Sequence, residues 1–88
     1  MMTVGRLKCV NPKSHRRGVQ KLLNAIAEKS GKSRGDIVIA YEEDVSVYAV
    51  RVWFTRPIPP KHWKLLSEKS GLGIEEIKEI ARRHWVGI

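Results

Sequence analysis

Residues 37–54 read IVIAYEEDVSVYAVRVWF, and this stretch carries the prediction for the centre of the fold. β-branched and aromatic side chains dominate residues 37–41 and 45–54, as is typical of strands. The three acidic residues between them have the length and polarity of a tight turn. Apolar side chains occupy both alternating faces of the second run, which indicates a strand covered on both sides. The sequence therefore predicts a central antiparallel β-hairpin.

An amphipathic helix is predicted before the hairpin, in residues 14–30. Asn11 and Pro12 favour a helix start, and Gly31 is suited to the left-handed residue that closes a helix. Looser alternation in residues 3–10 predicts a short N-terminal edge strand. The apolar side chains of the helix recur every three or four residues and so share one face: Val19, Leu22, Leu23, Ile26 and Ala27.

Two short helices are predicted after the hairpin, because residues 61–70 and 74–85 each carry an apolar stripe. The proline-rich segment 56–60 stops the second strand, and Gly71 lies in the turn between the helices. Their spacing is that of a helix-turn-helix corner, which occurs in many folds. Residues 1–88 are therefore predicted to form one small α+β domain. A central antiparallel hairpin, with a third, N-terminal edge strand, is packed by one N-terminal helix and this C-terminal two-helix corner.

The second helix of the corner is a poor candidate for reading DNA. Its first turns carry Glu75, Glu76 and Glu79. Acidic residues there stabilise a helix through its dipole, but DNA phosphates repel them. We therefore do not expect this helix to enter the major groove.

The corner is similar to an earlier part of the chain, because residues 26–31 and 66–71 both end in Glu-Lys-Ser-Gly. Lys and Gly are common at the end of any amphipathic helix. A strand is predicted after the first segment and a helix after the second, so we interpret the similarity as two alike helix endings rather than a duplication.

The chain is strongly basic, with 17 Lys and Arg against 9 Asp and Glu and a formal net charge of +8. A charge of this size in a small domain predicts a polyanionic partner, nucleic acid before any other, with DNA favoured over RNA. We expect a regulatory or architectural nucleic-acid-binding protein that acts as a homodimer. The alternative is a solvated basic surface of the kind found in heat-adapted proteins.

The positive charge is concentrated at the amino-terminal end, where residues 1–34 hold nine basic residues and one acidic residue. The free amides and dipole of a helix start add to such charge, so residues 13–17 form a predicted phosphate clamp. Tyr48 and Trp85 are candidates for stacking on exposed bases. The candidate nucleic-acid-binding residues are Lys13, His15, Arg16, Arg17, Lys21, Lys32, Arg34, Arg82 and Arg83.

No arrangement of residues indicates catalysis or a bound metal. The potential zinc ligands lack the paired spacing of zinc sites, and no pattern suggests a covalent nucleophile. These residues are Cys9, His15, His62 and His84. We therefore expect no enzyme activity and no cofactor. A metal-dependent nuclease that uses Asp36 or Glu43 is the least favoured alternative.

Partners and location are predicted from the same composition. The rival to nucleic-acid binding is a protein-interaction or assembly module with an acidic protein partner, which an exposed hydrophobic patch and scattered positive charge would support. The single cysteine, and the lack of an apolar segment long enough for a signal peptide or a membrane span, predict a reducing, cytoplasmic location without membrane contact.

Overall fold

The computed structural model describes residues 7–87, which form five helices and a two-stranded antiparallel sheet. In chain order the elements are β1 (Leu7–Cys9), α1 (Pro12–Ser30), α2 (Gly35–Glu43), α3 (Val47–Arg51), α4 (Trp63–Ser70), α5 (Ile74–Arg82) and β2 (Trp85–Gly87). A 3₁₀ turn at Val52–Phe54 continues α3, and another at Pro60–His62 leads into α4. None of these helices has the length and hydropathy needed to cross a membrane. The elements pack into a small, mostly helical α+β domain, which agrees with the predicted class.

The predicted central hairpin is wrong, because most of residues 37–54 are helical. Asp44 adopts a left-handed conformation with φ 54° and closes α2. Ser46 caps α3, since its hydroxyl accepts a hydrogen bond from the backbone N–H three residues on at 3.1 Å. Ile39 in α2 and Val50 in α3 are fully buried in the common core. Burial of these helical faces outweighs the β propensity of the individual residues.

The sheet joins the two ends of the described chain. β1 pairs antiparallel with β2, and Cys9 lies opposite Trp85. The predicted N-terminal edge strand is confirmed for Leu7–Cys9, whereas residues 3–6 lie outside the described residues. Its partner is the C-terminal strand rather than a hairpin, and the last helix accordingly ends at Arg82.

The predicted N-terminal helix is confirmed, and it lies at the centre of the fold. It begins at Pro12, after Asn11, whose Oδ1 accepts a hydrogen bond from the backbone N–H of Ser14 at 3.2 Å. It ends before Gly31, which has φ 68°. The predicted apolar face is buried, and α1 packs against α2, α4 and α5. Its buried apolar residues are Val19, Leu22, Leu23, Ile26 and Ala27.

The C-terminal two-helix corner is confirmed as α4 and α5, which are joined through a left-handed glycine, Gly71. Gly31 has the same conformation between α1 and α2. Both Glu-Lys-Ser-Gly segments are therefore followed by a helix, and the strand predicted after the first is wrong. The packing of the two units differs, because the aligned Ile37 is 47% exposed whereas Ile77 is fully buried.

Candidate nucleic-acid interface

α2 and α3 form a further two-helix corner, in the stretch where the sequence predicts a hairpin. Only residues 44–46 separate the two helices. The backbone N–H of Val45 donates to the carbonyl oxygen of Ala40 at 2.9 Å, which holds the turn against the end of α2. A three-residue connection of this kind is typical of helix-turn-helix units.

The outward face of α3 is exposed and carries no acidic residue. Tyr48 is 76% exposed, and Ala49 and Arg51 are exposed beside it. On the inward side, Val50 and Trp53 are buried in the core and fix the orientation of the helix. The exposed side chains of α3 are therefore held on a rigid element and are accessible to a partner.

A buried carboxylate joins the start of α2 to the end of α3. Asp36 accepts two hydrogen bonds from Arg34, from Nη2 at 2.6 Å and from Nε at 3.2 Å. The Nε of Arg51 lies 3.7 Å from the same carboxylate. The side chains of Arg34 and Arg51 stay 49% and 62% exposed, while that of Asp36 is 10% exposed. The two guanidinium groups thus face solvent around a shared, sheltered acceptor.

The pKa of Asp36 is lower than its ordinary value although the carboxylate is nearly buried. Burial by itself raises this pKa, but the hydrogen bonds and charge of Arg34, the backbone N–H of Ile37 and the charge of Arg51 outweigh burial. The hydrogen bond to Asp36 and its negative charge raise the pKa of Arg34. Asp36 is therefore ionised at neutral pH, where its carboxylate accepts the hydrogen bonds from Arg34.

Three cations lie on the first turns of α1. Lys13, Arg16 and Arg17 are exposed, and the first turn carries no acidic residue. Within residues 7–87 none of the three has a carboxylate partner. The positive end of the helix dipole adds to their charge.

These cations border the arginines of the α2–α3 corner. Phe54 and Gln20 line a shallow depression together with Lys13 and Arg16. The same Phe54 and Gln20 line a second, polar depression with the two arginines that contact Asp36. The two groups of cations therefore adjoin across these two side chains. We call the combined area the basic surface and define it by its cations: Lys13, Arg16, Arg17, Arg34 and Arg51.

The remaining predicted basic contacts lie outside the basic surface. Lys21 of α1 lies 3.0 Å from Oε2 of Glu76, and Arg83, just after α5, lies 3.7 Å from Oε1 of Glu79. Lys32 lies in the loop before α2, beside Ile37 and Tyr41. Arg82 is the last residue of α5.

His15, which the sequence places among the candidate contacts, is 1% exposed and does not belong to the basic surface. Its Nε2–H donates to the carbonyl oxygens of Trp53 at 2.7 Å and Arg56 at 3.1 Å. Its Nδ1 accepts a hydrogen bond from the indole N–H of Trp85 at 3.2 Å, and the two rings meet edge to face. The residue lies on the buried face of α1, one turn before Val19, and joins the start of that helix to both the α3 end and β2.

The carboxylates considered for a nuclease site have protein partners. Asp36 is engaged by Arg34, and Glu43 contacts Nδ1 of His62, whose ring packs against Trp53 at a centroid distance of 5.2 Å. Within the part of the chain that the structure describes, no three His, Cys, Asp or Glu side chains come together as a metal site would require.

The chain matches no protein-family model, and no curated protein or solved structure is significantly similar to it. Function is therefore argued from the site itself. Two features carry that argument: the outward face of α3 and the basic surface beside it.

Proposed function

We propose that this protein binds duplex DNA, with α3 in the major groove and the basic surface against the phosphate backbone. The observation that carries the proposal is an exposed, acid-free helix face whose last residue, Arg51, is one of the five cations of the basic surface. The B-DNA major groove is about 12 Å wide and admits one α-helix, whose side chains can then reach base edges. Phosphate contacts from neighbouring cations hold such a helix in register.

The charges of the two corners favour α3 over α5 as the helix that enters the groove. The first turn of α5 carries Glu75 and Glu76, and Glu79 follows one turn later. Residues 45–54 hold no acidic residue and end beside the basic surface. Phosphates on both sides of the groove repel carboxylates, so the face of α3 suits this position better than that of α5. The carboxylates at the turn of the α2–α3 corner, Glu42, Glu43 and Asp44, precede α3 and do not lie on it.

Duplex DNA suits this surface better than RNA or a single strand. The major groove of A-form RNA is too deep and narrow for side chains to read. Single strands are held by exposed aromatic platforms. Here Trp53 is buried, and the indole N–H groups of Trp63 and Trp85 donate to protein acceptors. Of the exposed tyrosines, Tyr41 lies on the outer face of α2, outside the basic surface, and Tyr48 lies on α3, where its ring and hydroxyl would face base edges.

The proposal is tested by fluorescence anisotropy with a 20-base-pair duplex across a salt series. Each phosphate contact contributes about 0.9 to the slope of log affinity against log salt. We expect the double variant Arg16→Gln/Arg17→Gln to weaken binding and to make the slope shallower by about 2. The control is Lys78→Gln/Arg82→Gln, which removes the same charge from α5.

The control variant is expected to change the slope by less than about 0.5, because these residues lie outside the basic surface. Equal effects of the two double variants would mean that net charge alone governs the interaction. An unchanged affinity and slope for Arg16→Gln/Arg17→Gln would contradict the assignment of α1 to the DNA backbone.

An acidic protein partner is the second candidate function. The observation that favours it is the outer face of α2, where Ile37 and the 83% exposed Tyr41 lie beside Lys32. Exposed apolar side chains next to a cation suit an acidic amphipathic segment. If Tyr41→Ser and Lys32→Gln leave DNA binding intact, the outer face of α2 takes no part in the DNA complex. If wild-type protein also binds no acidic peptide, an acidic protein partner is excluded.

A regulatory or architectural role as a homodimer remains part of the proposal, without catalysis or a cofactor. Two copies of α3 would then bind half-sites about 34 Å apart, one turn of the duplex. Sedimentation of the free protein and of its DNA complex measures the number of copies bound. A strict 1:1 complex on every duplex would exclude the dimer.

A further inference from the structure

Asp36 is an acidic residue within a surface that is otherwise basic. A carboxylate repels phosphates, so its position between Arg34 and Arg51 must have another benefit if this surface binds DNA. We propose that Asp36 is a positioning residue, which holds the guanidinium groups of Arg34 and Arg51 so that both contact the DNA backbone beside α3. This inference rests on the proposed function.

The contacts leave the correct atoms of Arg34 available. Asp36 occupies the Nε–H and one N–H of Nη2. A guanidinium group has five N–H donors in a fixed plane, so both donors of Nη1 and the second donor of Nη2 remain for another acceptor. The carboxylate therefore fixes the plane of the guanidinium while its outer edge stays exposed for a phosphate oxygen.

Arg51 approaches the same carboxylate through Nε, at 3.7 Å. Its Nη1 and Nη2 atoms lie beyond Nε on the guanidinium fork, and the side chain is 62% exposed. The carboxylate thus holds Arg34, just before α2, by two hydrogen bonds, and attracts Arg51, at the end of α3, through charge alone. Long side chains restrained in this way lose less conformational freedom when they bind.

A purely structural role is the competing explanation. Asp36 also accepts a hydrogen bond from the backbone N–H of Ile37 at 2.9 Å, and it lies in the first turn of α2. An acidic residue there stabilises a helix without any ligand. The two roles are distinguished by a quantity that does not depend on the stability of α2. The salt slope of DNA binding is such a quantity.

The experiment measures DNA affinity and its salt slope for wild type and for Asp36→Asn, using a duplex that wild-type protein selects from a random pool. The asparagine side chain of this variant retains an oxygen acceptor but loses the charge. If Asp36 positions the arginines, Asp36→Asn makes the slope shallower by about 1 to 2, although the protein has become more positive. Electrostatics alone predicts the opposite, a tighter complex with an equal or steeper slope.

Arg34→Lys covers the case in which Asp36→Asn does not fold. The lysine side chain of this variant keeps the positive charge but has no fork to share between a carboxylate and a phosphate, so we expect weaker binding to the selected duplex. In the background Arg34→Gln/Arg51→Gln, Asp36→Asn is expected to cause no further loss of slope. The inference is overturned if Asp36→Asn leaves the salt slope of DNA binding unchanged or makes it steeper. It is also overturned if Asp36→Asn lowers the slope equally in wild type and in the Arg34→Gln/Arg51→Gln background.

The failure of the inference is distinguishable from failure of the proposed function. If wild-type protein binds no duplex DNA, the proposed function is wrong and the positioning role falls with it. If wild-type protein binds with a salt-dependent affinity and Arg34→Lys binds equally well, only the positioning role is wrong.

Discussion

The backbone of Gly35 lies against the carbonyl group of Leu23, so closely that a Cβ atom at residue 35 would overlap the carbonyl oxygen and lie 3.0 Å from the Leu23 Cα. This is the point where α2 crosses α1. Both partners of the contact are backbone atoms, which cannot rotate out of the way. The crossing therefore fixes where the α2–α3 corner lies relative to α1, and with it the relation of α3 to the cations of α1.

Gly35→Ala is predicted to destabilise the fold by about 3 kcal/mol or more, because the added methyl group forces α2 away from α1. Thermal unfolding followed by circular dichroism measures the change. The matched control is Gly18→Ala, in the interior of α1. An alanine there places Cβ 3.5 Å from Cγ2 of Ile80, an ordinary contact.

Gly18→Ala is predicted to stabilise the protein by about 0.5–1 kcal/mol, since glycine in a helix interior is unfavourable relative to alanine. Substitution by alanine is therefore expected to change the free energy of unfolding in opposite directions at the two glycines. A neutral Gly35→Ala, or a strongly destabilising Gly18→Ala, would contradict the helix crossings described above.

His15→Ala is predicted to destabilise the protein by about 3 kcal/mol, because it leaves a cavity and removes the partners of Trp53, Arg56 and Trp85. The control is Arg16→Ala on the exposed face of the same helix turn, expected to change stability by no more than about 0.5 kcal/mol. Urea unfolding with tryptophan fluorescence measures both. If His15→Ala costs no more than Arg16→Ala, the buried position of the imidazole is wrong.

Asp36→Asn is predicted to alter the pH dependence of stability. The pKa of Asp36 is lowered in the folded protein, so the folded chain holds fewer protons than the unfolded chain near the ordinary value of 3.8. The stabilisation by the charged carboxylate is therefore fully present above that pH and is lost as pH falls through the folded pKa. At pH 6 we expect Asp36→Asn to cost about 1–2 kcal/mol.

The measurement for Asp36 is the Tm of wild type and Asp36→Asn from pH 7 down to pH 2. The difference between them is expected to stay constant above about pH 5 and to shrink below pH 4. Glu79→Gln is the control, because its exposed pair with Arg83 contributes about 0–0.5 kcal/mol. A difference for Asp36→Asn that grows on acidification would have the wrong sign.

Helix boundaries were predictable where capping residues mark them. Asn11 and Pro12 indicate the start of α1, and Gly31 and Gly71 indicate the ends of α1 and α4. The secondary structure of residues 37–54 was predicted wrongly because β-branched side chains are abundant there. Two residues nevertheless indicate helix ends, since Ser46 is a good N-cap and Asp44 tolerates the left-handed conformation. Val50 and Trp53 are three residues apart, which puts them on one face of a helix but on opposite faces of a strand. Because apolar residues fill both faces of the predicted strand, this spacing did not single out the helix, whereas the burial of both side chains in one core does.

The candidate site was predictable in part. The exposed cluster of Lys13, Arg16 and Arg17 follows from charge and from the start of a helix. Pairs of distant residues were not predictable, since nothing in the sequence connects Lys21 with Glu76, with which it forms an exposed ion pair. Arg51 could be recognised only as an isolated charge among apolar residues. Its position beside Asp36 depends on α3 being a helix.

Binding of α3 in the major groove is tested by the affinity of wild type and Ala49→Glu for a duplex, a single strand and an RNA hairpin at matched salt. Ala49→Glu keeps the helix but places a negative charge on the exposed face of α3, whereas Lys78→Gln changes the net charge equally on α5. Wild type is expected to prefer the duplex, Ala49→Glu to lose about tenfold or more in affinity, and Lys78→Gln to stay within about twofold. Equal losses in the two variants, or equal wild-type binding to all three nucleic acids, would contradict the assignment of α3 to the major groove.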